Sequence, residues 1–184
     1  MPDLNDCSQN AAIAFYFLTG RGLSNAQAAA VVGNLQVESG LSPGLEAMDT
    51  NGKVSRGIAM WQPPRWQDLL SFSYSKGFDP NSLEGQLQFL WHELEDQPAL
   101  GLRELASTTT VEDATVAFQN NFERCVPALC HTDRRISLAY SALSCLSVSP
   151  PRGKGRVGVV VASLGVLGLV AAAGYGAYKA LAFR

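Results

Sequence analysis

A helix with a compulsory end stands at residues 33–43, Gly-Asn-Leu-Gln-Val-Glu-Ser-Gly-Leu-Ser-Pro. Ala28, Ala29, Val31, Val32, Leu35 and Val37 form a run of small and apolar residues through it. Gly40 stops the helix and Pro43 forbids its resumption. Glu38 therefore falls in the last turn, where the partial charge of the helix end is negative and does not stabilise a carboxylate. Val37 and Leu41 on either side add partial desolvation. Both effects push a carboxyl pKa up, which is what a general acid needs near neutral pH. The plain alternative is an exposed Glu at a frayed helix end.

The next segment, residues 46–61, contains Asn51-Gly52, a strong hairpin signal because Gly accepts positive φ without steric cost. The short, mixed runs around it predict a small β element that returns the chain toward Glu38. Asp49 stands just before the turn and Ser55 just after it. Glycoside cleavage needs a protonated carboxyl on one side of the scissile bond and a carboxylate or a held water on the other. A helix-end Glu38 and a hairpin Asp49 are candidates for that pair.

The pattern G-N-L-x-x-E-S-G-L-x-P followed by G-I-A-x-W resembles the phage tail lysozyme family, within the wider lysozyme-like superfamily. The hairpin D-T-x-G-x-x-S-x-G-I is also similar to the T-even phage lysozyme pattern, with Ser55 where a Thr stands there. The resemblance implies that Glu38 is the catalytic acid, Asp49 the second carboxylate and Ser55 a hydroxyl that helps to hold a water. It also places an Arg shortly after the G-I-A-x-W element, which Arg65 fits. Met60 stands where the family usually has Gln; Gln62 is a nearby polar substitute for that substrate contact. Phe122-Glu123-Arg124, Arg135 and Ala139 repeat a pattern from the end of that domain, so the likeness spans roughly residues 8–146. Glu123 reads as a structural partner of Arg135 rather than as the acid.

The helices can be placed from their caps. Ser8 and Ser24 precede two apolar runs, the first ending at Gly20. The first run is apolar nearly all round and too short for a bilayer, so it reads as a buried core helix. Pro63-Pro64 suits a helix start, with Leu69, Leu70, Phe72 and Tyr74 facing a core. Trp61 and Trp66 are either sugar-stacking residues or core. Ser82 opens a helix with Leu83, Leu87, Leu90 and Leu94 on one stripe, leaving His92, Glu93 and Glu95 on a solvated face. Pro98 begins a short helix through Leu105. Thr110 and Asp113 form a capping-box-like start for residues 111–124, with Val116, Ala117 and Phe118 inward.

Four cysteines, Cys7, Cys125, Cys130 and Cys145, allow three pairings. Cys125 with Cys130 and Cys7 with Cys145 is the favoured set, because domain ends often lie close together. Buried thiols remain an alternative, as does a metal site using Cys125, Cys130 and His131, although the short C-x-x-C spacing is absent. Disulfides imply contact with an oxidising compartment. No metal or cofactor is expected.

Charge is distributed unevenly. Up to residue 146 there are nine basic against 16 acidic residues, a net of −7, while the five basic residues from Arg152 onward make the tail +5. An acidic domain is not steered toward anionic wall polymers, which counts mildly against a wall enzyme unless the tail localises it. No basic stripe supports nucleic-acid binding. Residues 1–7 carry two Asp and no basic residue, so no signal peptide is expected. Residues 147–156 read as a Ser/Pro/Gly/basic linker. Residues 157–178 contain no charge and are long enough to cross a bilayer as a helix. Tyr175 and Tyr178 suit an interfacial belt, and Gly168, Ala172 and Gly176 a close helix contact. Residues 179–184 form a short basic tail.

The expectation is a mainly α lysozyme-like domain over residues 1–146 with a small β-hairpin, followed by one C-terminal transmembrane helix. The implied function is a peptidoglycan-degrading muramidase, with Glu38, Asp49 and Ser55 catalytic and Gln62, Trp61 and Arg65 binding the glycan strand. A lytic transglycosylase using a single Glu is the runner-up. A non-catalytic glycan-binding or structural protein of a virion is the other class. The implied partners are peptidoglycan strands, a lipid bilayer and other virion proteins. The implied location is the membrane of a virion or of the infected host cell, as a single-pass protein.

Overall fold

The computed structural model describes residues 8–49 and 52–146. Its elements run α1 (Gln9–Gly20), α2 (Asn25–Ser39), β1 (Glu46–Met48), β2 (Val54–Arg56), α3 (Arg65–Lys76), α4 (Leu83–Asp96), α5 (Leu102–Ala106), α6 (Val111–Phe118) and α7 (Thr132–Leu146). The domain is mainly helical, with one two-stranded antiparallel sheet in which Glu46 faces Arg56, Ala47 faces Ser55 and Met48 faces Val54.

The caps sit where side-chain chemistry demands them. Ser8 accepts from the Ala11 N–H, and Ser24 forms a full capping box with Gln27. Ser82 accepts from Gly85 and Thr110 from Asp113. Gly40 ends α2 in the left-handed region at φ 64°, so Glu38 does lie in the final turn.

Helix α2 is the central element, buried from Gln27 to Leu35. Its main neighbour is α7, with α6 and α1 on its other sides. Gly33 makes the α7 contact possible: a Cβ there would lie 2.6 Å from both the Ala139 nitrogen and the Arg135 carbonyl oxygen. The backbones of α2 and α7 thus touch where any side chain would hold them apart. Behind this seam, Phe15, Leu18, Leu35, Leu87, Leu90, Phe118 and Phe122 form a continuous apolar core.

Several expected positions differ. Tyr74 is exposed because α3 turns its Leu69 and Ser73 face inward instead. Helix α6 stops at Phe118 and continues as a π-helical turn, Gln119–Glu123, rather than as α-helix to Arg124. Val111, Ala114, Thr115 and Phe118 are its buried residues, and Val116 faces out. The segment after Pro98 is divided: a 3₁₀ turn, Pro98–Leu100, is separated from α5 by Gly101 at φ 82°.

Cys125 and Cys130 are disulfide-bonded, which removes the alternatives of free thiols or a metal site there. Cys145 is disulfide-bonded as well, while Cys7 lies outside the described residues. The expected linker at residues 147–156 and membrane span at residues 157–178 also lie outside them. Among the described residues no helix is long and apolar enough to cross a membrane.

Candidate active site at the end of the central helix

Each residue of the G-N-L-x-x-E run has a distinct task. Gly33 admits α7, and Leu35 is fully buried in the core. Asn34 is also fully buried; its amide donates to the carbonyls of Ala30 at 2.8 Å and Thr115 at 3.3 Å. Its Oδ1 in turn accepts from Arg135 Nη1 at 3.1 Å. Arg135 is fixed further by Nε donation to the Cys130 carbonyl at 2.7 Å and by a contact to the Asn34 carbonyl. The remaining arm of the guanidinium, Nη2, donates to Glu38 Oε1 in an ion pair. Glu38 retains 22% of its side-chain exposure, whereas Arg135 retains 3%. The carboxylate at the helix end therefore reaches solvent with a buried, rigidly held cation behind it.

The hairpin is tied to this helix end. Ser39 Oγ donates to the Ile58 carbonyl at 2.8 Å, and Gly57 N–H donates to the Leu45 carbonyl at 2.9 Å. The Gln86 side chain spans three segments, accepting from Ile58 N–H at 2.9 Å and donating to the carbonyls of Pro43 and Pro80. Asp49 is exposed in the loop after β1, and its Oδ2 accepts from Gln62 Nε2 at 2.5 Å. Ser55 lies on β2 and is 5% exposed. Asp49 and Gln62 are thus brought together, and Arg135 is the described partner of Glu38.

Two expectations about the neighbouring residues need correction. Trp61 is 1% exposed, packs edge-on against Phe89, and donates its indole N–H to Glu93 Oε2 at 2.8 Å. It is a core residue and presents no face to a sugar; Trp66 is buried too. Glu93 is not on a solvated face, being itself 1% exposed. Arg65 clamps it with a two-pronged contact, Nε to Oε1 at 2.7 Å and Nη2 to Oε2 at 2.8 Å. Arg65 therefore serves a buried carboxylate first, with one-third of its side chain still exposed. Its guanidinium lies 4.7 Å from the centre of the Phe122 ring. The burial of Glu93 had a faint sequence signal. Gln86 and Glu93 are seven positions apart and so share the face of α4 that carries Phe89 and Leu90.

Glu123 follows Phe122 at the end of the π turn, just before Arg124 at φ 53°. Arg135 pairs with Glu38 and not with Glu123, contrary to expectation. Glu123 Oε1 is closed off from solvent and has no hydrogen-bond partner among the described residues. Burial pushes its pKa well above the usual carboxylate range. The negative charges of Glu38 and Glu93 add to the rise, and Arg135 and Arg65 offset it only in part. Two guanidiniums and three carboxyl groups thus meet where α2, α3, α4, the π turn and α7 converge.

A central helix with a partly exposed carboxylate at its end, beside a small hairpin and backed by a buried ionic cluster, defines a small helical domain built to present one acidic group. The family described as phage tail lysozyme matches residues 9–146, and the chain belongs to that family. No curated protein matches the chain.

Proposed function

We propose that this protein is a muramidase that cuts peptidoglycan between N-acetylmuramic acid and N-acetylglucosamine. The observation that carries this reading is the position of Glu38 at the open end of α2, within the segment matched by the phage tail lysozyme family. Glu38 protonates the leaving glycosidic oxygen, and Asp49, with Ser55, orients the attacking water or steadies the developing positive charge. Gln62 and Arg65 contribute polar contacts to the strand. Loss of a general acid costs about 10²–10⁴ in rate. Purified full-length Glu38→Gln should therefore clear a cell-wall suspension at least about 100-fold more slowly, with unchanged circular dichroism. Wild-type clearing by this variant would remove Glu38 from the mechanism.

The pairing of Asp49 with Gln62, and of Glu38 with Arg135, favours a second reading, in which one Glu acts alone as in a lytic transglycosylase. Mass spectrometry of the products separates the two: reducing ends mark hydrolysis, anhydro ends the transglycosylase.

The uncharged residues 157–178, flanked by basic residues, support anchoring in a bilayer, and the family supports association with a virion that opens the wall locally. The disulfide at Cys125–Cys130 supports action in an oxidising compartment. An anchored full-length chain stays with membranes through alkaline carbonate washing; release by that wash would refute the anchor.

A further inference from the structure

We propose that the Cys125–Cys130 disulfide is a positioning element of the active site, acting on Glu38 through Arg135. The proposal rests on Glu38 being the general acid. Its ground is a chain of contacts that runs from the disulfide loop to the carboxylate. Arg135 Nε donates to the Cys130 carbonyl at 2.7 Å, Nη1 donates to Asn34, and Nη2 donates to Glu38. Nε and Nη2 lie on one edge of the planar guanidinium, whose donors form a rigid fork. The Cys130 carbonyl and the Glu38 carboxylate therefore share that edge. A shift of the carbonyl turns the fork and carries Nη2 away from Glu38.

What fixes the carbonyl is the disulfide rather than packing. Residues 126–129 are all exposed, and the 3₁₀ turn Pro127–Leu129 buries no residue. Its hydrogen bond, from Leu129 N–H to the Val126 carbonyl at 2.8 Å, closes within the loop. The start of the loop is held firmly. Arg124, just before Cys125, donates from Nε to the Asn121 carbonyl at 2.8 Å and from Nη2 to the Ala99 carbonyl at 2.9 Å. The disulfide carries that fixed point across to Cys130, which is itself buried. Thr132, two residues further on, donates to Gln119 Oε1 at 2.9 Å, so α7 stays docked without the disulfide. Opening the bond thus frees the Cys130 carbonyl while the fold persists. Asn34 still holds Nη1, and the guanidinium pivots there instead of leaving. A misplacement of about 1 Å at a reacting centre costs about 100-fold in rate. The disulfide touches no substrate and acts only through Arg135.

The test uses the full-length protein with Cys125→Ser, which leaves the buried Cys130 side chain in place, alone and combined with Arg135→Lys. Lysine keeps the cation but offers a single ammonium, so it cannot join the Cys130 carbonyl to Glu38 as the fork does. On soluble glycan strands, Cys125→Ser should lower kcat at least about tenfold and leave KM within about twofold of the wild type. In the Arg135→Lys background the same change should move kcat by less than about twofold. An unchanged kcat in Cys125→Ser, or an equal loss in both backgrounds, would overturn the proposal. The Arg135 Nε–H signal in ¹⁵N NMR gives a readout without catalysis, and it decides if Arg135→Lys does not fold. Its hydrogen exchange should quicken at least about tenfold in Cys125→Ser, and an unchanged rate would overturn the link. Cys125→Ala serves if Cys125→Ser does not fold. Collapse of both, read by circular dichroism, would make the disulfide purely structural and overturn the proposal. An active Glu38→Gln would fail the underlying acid assignment, whereas an inactive Glu38→Gln beside an unchanged kcat in Cys125→Ser would fail the positioning alone.

Discussion

Replacing Gly33 with Ala adds one methyl group where two helices touch backbone to backbone. The new Cβ would lie 2.6 Å from the Ala139 nitrogen, 2.6 Å from the Arg135 carbonyl oxygen and 2.9 Å from the Ala139 Cα. All three obstacles are main-chain atoms of α7, so no rotamer change relieves them. The helices must part by about 1 Å, and overpacking of that kind costs typically 1–3 kcal/mol, here toward the upper end. Ala gains about 1 kcal/mol over Gly as a helix former, so the net loss is about 2 kcal/mol. A domain of roughly 140 residues has an unfolding entropy near 0.3 kcal/mol/K, which makes the fall in Tm about 7 °C. Gly20→Ala is the control, since a Cβ there meets nothing within 4 Å and the last residue of α1 has no positive φ to lose. Calorimetry on both variants should separate them by sign, Gly33→Ala falling and Gly20→Ala holding or rising. A Gly33→Ala protein that melts at or above the wild type would refute the close-packed seam.

Glu93→Gln should cost about 1–3 kcal/mol in denaturant unfolding, because Arg65 loses its counter-ion; partial exposure of Arg65 keeps this below the usual penalty for breaking a buried pair. An unchanged midpoint would show that the clamp is not structural. Stability should also respond to Glu123. Its pKa in the folded state lies well above the ordinary 4.5, so its contribution is fully present below about that pH and is lost as pH rises through the raised folded value. Glu123→Gln has nothing to ionise there, so its Tm should improve relative to the wild type between pH 5 and pH 8. A constant or falling difference would contradict the buried carboxyl.

Local signals account for most of the fold. Ser8, Ser24, Ser82 and Thr110 each cap the helix they precede, and Gly40 ends α2 where expected. The hairpin strands flank the Asn-Gly pair, and Cys125 meets Cys130. These features depend on residues a few positions apart. The ionic cluster does not: Glu38 and Arg135 are 97 positions apart, and Arg65 and Glu93 are 28 apart. Hydrophobic periodicity assigns a face to a residue but does not say which charge lies opposite. Glu93 therefore read as solvated although an Arg on another helix buries it, and Glu123 read as the partner of an Arg that Glu38 already holds. The π turn was equally hidden, since Val111 to Phe122 continues a helical pattern while the backbone widens after Phe118.

The seam between α2 and α7 joins the second helix of the domain to its last. Glu38 leaves the ribosome long before Arg135 exists, and Asn34, which will hold that arginine, waits through 101 further residues. A nascent chain that has been made only through α6 thus still lacks the cation behind its acidic group. The site is completed only when α7 docks along Gly33, so nascent chains and fragments that end before residue 135 carry Glu38 without its partner. Assembly order alone keeps the growing chain from having a finished site.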